Sequence, residues 1–167
     1  MKEGIFKHHD EKGMQAFENI SKELAFGKKA FKFCSKLIKN HLEISKLFFL
    51  KKLDGLTDKD LNFFWYENKD IAPHLIILTL SDSLATSEDK KFLEEITKFI
   101  LEIQDYYFNV YLKEVIDEPL LSGKEIMEIL NLKPSPKVGE IKDKLLKAQL
   151  EGTVKTKEQA ISFIKSL

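Results

Sequence analysis

Four histidines (His8, His9, His41 and His74) and a scatter of carboxylates are the groups in this 167-residue chain that could hold a metal or move a proton. His9 and Asp10 are adjacent, and a neutral imidazole beside a carboxylate suits a divalent ion at a phosphate-hydrolysing centre; the pair equally fits a solvated N-terminal stretch. His41 stands near an expected helix end, where an imidazole also serves as a macrodipole partner. His74 lies in an apolar run and is expected in the core. Asp82 closes that run, where a bare buried carboxylate is costly, so it should be hydrogen-bonded, paired or metal-bound. No nucleophile constellation, G-x-x-x-x-G-K-[ST] loop or G-x-G-x-x-G fingerprint occurs, so no catalytic residue is assigned and no ATP site is expected. The lone Cys34 excludes an internal disulfide and a thiolate zinc cluster, which fits a reducing compartment and predicts a cytoplasmic protein.

Charge is the second candidate for chemistry. The 27 basic residues are all Lys and are balanced by 27 acids. Without Arg there is no bidentate fork for phosphate, so phosphate would be held by ammonium groups, hydroxyls and helix N-termini. The zero total conceals an uneven distribution. Residues 28–52 carry a local balance of +7 and residues 88–118 one of −5. The row Lys28, Lys29, Lys32, Lys36 and Lys39 reads either as a footprint for a polyanion or as a solvated helix face.

The elements that position these groups read as helices throughout, with few turn residues to interrupt them. Met14, Phe17, Ile20 and Leu24 step by three and four until Gly27; Phe31, Cys34, Leu37 and Ile38 repeat the period from Lys28 to His41. Leu47 to Leu56 reads as a short helix and loop, and Thr57 with Asp60 caps a helix ending near Asn68. The run Ile71 to Leu84 is too long for a strand, takes Pro73 in its first turn, and is expected to be the central core helix. Ser87 then caps a helix of some 25 residues through Tyr111, ended by Pro119. Capping boxes at Ser122/Glu125 and Thr156/Gln159, Pro136 after Ser135, and Gly152 as a stop define three shorter helices. The expected fold is therefore all-α: a multi-helix bundle of about eight helices with a small three-helix C-terminal tail, divided into 1–118 and 119–167. No membrane span or signal peptide is expected.

The C-terminal third carries a motif pattern of its own. Leu121, Ser122, Gly123, Ile126, Met127, Leu132, Pro134, Pro136, Val138, Gly139, Leu150, Gly152 and Val154 resemble the end of the body and the tail of class II bacterial tRNA nucleotidyltransferases and poly(A) polymerases. Ser135 replaces the glycine usual between the prolines, and Lys124 stands where arginine is frequent. Ile5 to Gly13 resembles the family's later histidine segment, Lys39-Asn40-His41 its Asn-His step, and Leu80 to Thr86 its Ala-Asp-Ala segment. By that resemblance His9, His41 and Asp82 match three metal-ligating positions of HD-type domains, while the HD doublet itself has no counterpart.

The resemblance implies an RNA-binding body and tail that holds tRNA, or another RNA 3′ region, by its backbone. On this reading Lys28, Lys29, Lys32, Lys36, Lys39, Lys124, Lys133, Lys137 and Lys155 make the contacts. The catalytic head, with its Mg²⁺ and nucleoside triphosphate, has no counterpart here, so the chain should be inactive alone, needing a head in cis or as a separate subunit, and carry no cofactor. Two other readings stand beside it. One is an HD-type metal phosphohydrolase remnant, for which only His9, His41 and Asp82 are candidate ligands. The other is a structural module whose Tyr106, Tyr107, Phe108 and Tyr111 pack against a partner.

Overall fold

The computed structural model describes residues 9–167, with side chains from Lys12 onward. The chain is all-α: the described residues are 76% helical and no strand occurs among them. The helices are α1 (His9–Glu23), α2 (Lys28–Asn40), α3 (Glu43–Lys52), α4 (Asp58–Asn68), α5 (Ala72–Thr86), α6 (Lys90–Tyr106), α7 (Leu112–Glu114), α8 (Gly123–Leu130), α9 (Pro136–Leu150) and α10 (Lys157–Lys165). A π-helical turn, Tyr107–Tyr111, joins α6 to α7.

Local chemistry sets the ends. Both expected capping boxes are formed at Ser122/Glu125 and Thr156/Gln159, and Thr57 exchanges hydrogen bonds with Asp60 ahead of α4. The long helix starts later than expected. Its first amides, Lys91 N–H and Phe92 N–H, donate to Asp89 Oδ1 at 2.9 and 3.3 Å, so Asp89 and not Ser87 is the cap. Four helices end alike. The amides of Phe26, Gly55, Leu132 and Thr153 each reach back five residues to a carbonyl, across a residue of positive φ: Ala25, Asp54, Asn131 and Gly152. Gly27, read from sequence as a helix stop, lies two residues beyond the turn-making Ala25, and Gly55 directly follows Asp54.

By their contacts the residues group into two compact units interleaved along the chain. The first takes the described residues up to Gly55 together with Asn68–Leu101. Its core is built by Ile44, Leu47 and Phe48 of α3, Ile71, Ala72 and Leu75 around the start of α5, and Ile96, Phe99 and Ile100 of α6. Phe48 meets the rings of Phe92 and Phe99 at 5.9 and 5.6 Å, and Phe17 of α1 stacks on Phe31 of α2 at 5.5 Å.

Helix α5 is not the fully enclosed core helix its composition predicts. Only Ala72, Leu75, Thr79 and Ser83 are buried, one face at helical spacing, while Ile77 and Leu84 are 63% and 66% exposed. His74 faces out as well, its ring edge-on to Phe33 at 4.9 Å. Asp82 is exposed too, which removes the desolvation argument made for it from sequence. The run is apolar on more sides than its neighbours cover.

The second unit comprises Leu56–Glu67 and Glu102–Leu167. Leu121, Ile126, Ile141, Leu145, Ala160 and Ile164 form a continuous core among α8, α9 and α10. Buried Gln149 ties the linker to α9: its Nε2 donates to the carbonyls of Ile116 and Glu118 at 3.0 and 2.8 Å, and its Oε1 accepts from Leu120 N–H at 3.0 Å. Asn62 of α4 donates to the Leu150 carbonyl at 2.9 Å and accepts from the Tyr106 hydroxyl at 2.9 Å. Burial, with the carboxylates of Asp58 and Glu114 nearby, pushes that hydroxyl up to about 12. Trp65 packs on Tyr107 at 4.3 Å and Tyr111 is buried, donating to Asp117 at 2.8 Å, whereas Phe108 is exposed. The tyrosines thus serve mainly as packing within this unit.

Candidate nucleic-acid interface

At about 100° per residue, Lys28, Lys29, Lys32, Lys36 and Lys39 fall within a single arc of about 100° on α2. Phe31, Cys34, Leu37 and Ile38 occupy the opposite side and are half-buried. The sequence thus forces the lysines outward: the apolar stripe packs, and the ammonium groups project from the other face. Lys28, Lys29, Lys32 and Lys39 are exposed and make no ion pair among the described residues. Lys36 differs. Its ammonium lies 2.5 Å from Asp70 Oδ1, and that hydrogen bond, first among the causes, holds the Asp70 carboxyl below its ordinary range. Asp70 was not visible as a member of the site because it lies 34 residues away in sequence.

The second group of lysines belongs to the other unit. Lys124 is exposed on α8, 3.9 Å from Glu128 one turn on, a spacing worth little on a solvated surface. Lys133, Lys137 and Lys155 are exposed and make no ion pair among the described residues. Lys133 precedes the Pro134-Ser135-Pro136 turn and Lys137 sits in the first turn of α9, whose N-terminal amides start with no acidic residue beside them. Lys157 has its charge engaged, 2.5 Å from Glu125 Oε1. Glu125 is pulled down to about 2, chiefly by Lys157 and then by the Ser122 amide and hydroxyl.

The metal candidates divide differently. His41 is half-buried at the end of α2, with Nδ1 2.6 Å from the Ile38 carbonyl, a helix-end contact of the kind the sequence allowed. Asp82 is exposed on α5. The side chain of His9 lies outside the described residues. No group of three or more His, Cys, Asp or Glu that could hold a metal ion occurs among the described residues.

No family model matches the chain. Relatives do. A CC-adding tRNA nucleotidyltransferase of Thermus thermophilus is 36% identical over 106 residues, 64% of this chain and 23% of that protein. The chain is related to the tRNA nucleotidyltransferases. Among these nucleotidyltransferases, the CC-adding protein of Synechocystis is 25% identical over 111 residues, 66% of this chain and 24% of its own. The A-adding protein of Deinococcus radiodurans is 30% identical over 109 residues, 64% of this chain and 25% of its own. The chain therefore spans about a quarter of the length of the tRNA nucleotidyltransferases it matches. Among the described residues no helix is long and apolar enough to cross a membrane.

Proposed function

We propose that this chain is the RNA-gripping C-terminal portion of a tRNA nucleotidyltransferase or poly(A) polymerase-like protein, working in the cytoplasm on tRNA or another RNA 3′ region. The observation that carries the reading is the α2 lysine row, four of whose five ammonium groups make no ion pair among the described residues, in a chain related to proteins that add nucleotides to tRNA. Unpaired lysines on one helix face bind by displacing counterions from a phosphate backbone, which gives affinity without base readout. Lys124, Lys133, Lys137 and Lys155 add contacts from the second unit. The match to only a quarter of each relative supports a division of labour: nucleotide addition, with its Mg²⁺ and nucleoside triphosphate, belongs to a head outside these residues, in cis or as a separate subunit.

A fluorescence-anisotropy titration of tRNA against the chain at several salt concentrations tests this. The expected result is binding that weakens steeply with salt. In the K28E/K29E/K32E/K39E variant the slope of log K against log salt should fall by about 3. Unchanged affinity and slope in that variant would remove α2 from the interface, and absence of binding at low salt would remove the reading.

A further inference from the structure

Beside their own core, α8, α9 and α10 frame an open notch of about 250 Å³. Its floor is aliphatic, with the half-buried Leu130 and Leu132 beside the core residues Ile141 and Ile164, and Lys137, Lys144 and Lys165 line it together with one acid, Glu140. Lys137, Ile141 and Lys144 are spaced i, i+4 and i+7 on α9. Two ammonium groups therefore bracket an aliphatic side chain along roughly 10 Å of one helix face. None of the three lysines makes an ion pair among the described residues, so the notch offers three positive charges against the single negative charge of Glu140, around an apolar seat.

We propose that this notch docks a short acidic segment of a partner protein, one aliphatic side chain seated on Leu130 and Leu132 and flanking carboxylates held by Lys137, Lys144 and Lys165. Charge complementarity selects the occupant: three lysines against one glutamate call for an anionic partner, and the aliphatic floor calls for a Leu- or Ile-like group between the charges. A nucleic-acid backbone fits less well, because its phosphates and riboses find nothing to bond on the aliphatic floor between the lysines. Lys137 is shared with the lysines assigned to RNA above, but Lys144 and Lys165 are not, so substituting these two tests the notch apart from that set.

The probe is a library of random twelve-residue peptides displayed on phage and selected on the full chain. Selected peptides should pair Asp or Glu with Leu or Ile and shift the methyl resonances of Leu130 and Leu132. They should bind the K144E/K165E variant at least tenfold more weakly and the K144R/K165R variant about as well as the parent. Both lysines are exposed, so the thermal melt of each variant should match the parent's, which separates lost binding from lost fold. Peptides that bind the parent and K144E/K165E equally, or a library that yields none, would overturn the proposal. So would a tRNA titration that shifts the same methyls and weakens tenfold in K144E/K165E, which would assign the notch to RNA.

Discussion

Glu125 shows how one half-buried side chain can serve two neighbours at once. It closes the α8 capping box through Ser122 and accepts from Lys157 at the start of α10, and these contacts hold it at about 2 against an ordinary 4.5. A carboxylate depressed on folding adds stability that is fully present above its unfolded value and is lost as pH falls through the folded one. The chain should therefore lose stability on acidification from about pH 4.5 toward pH 2, and Glu125→Gln should flatten that part of the profile while lowering stability at pH 7; urea unfolding across the range checks both. Ala25 illustrates the opposite case, a residue whose backbone conformation suits another amino acid. At φ 50° it bears the steric cost that Gly escapes, so Ala25→Gly should stabilise the chain by about 1 kcal/mol in the same assay.

At the scale of elements, the exposure pattern of α5 makes a sharp contrast between neighbours. Leu75→Ala should cost about 3 kcal/mol by opening a cavity in the first unit's core, whereas Ile77→Glu, on the solvent side, should change stability by less than about 0.5 kcal/mol; paired denaturation curves decide. The element order and most caps were legible because Thr57, Ser122, Pro136 and Thr156 announce their helices locally, within three residues. The burial of α5 was not, because composition records that a run is apolar but not how many neighbours reach it. The lysine row was legible from spacing alone. Its neutralisation at Lys36 was not, since Asp70 reaches it through the fold. The π-helical turn at Tyr107–Tyr111 left no mark in the hydrophobic period either, because Trp65, Tyr107 and Tyr111 hold it by packing.

For the whole molecule, the feature without a sequence signal is the assignment of Leu56–Glu67 to the second unit although first-unit residues flank it on both sides. Asn62 is the polar anchor of that arrangement, and Asn62→Ala leaves the Leu150 carbonyl and the Tyr106 hydroxyl without their partner, at a cost of about 2 kcal/mol. Hydrogen exchange followed by mass spectrometry should show faster exchange in α4 and α9 of that variant, with α1 and α2 protected as before; uniform acceleration would mean the units unfold as one. The interleaving also orders events at birth. On a ribosome the chain emerges from its N-terminus, and the carbonyl that Asn62 bonds lies 88 residues downstream, roughly 4–18 s later at ordinary elongation rates. For the first half of that interval Trp65 lacks Tyr107, the ring it packs on, and for all of it Asn62 lacks its acceptor, which marks α4 as the stretch of nascent chain most in need of a chaperone.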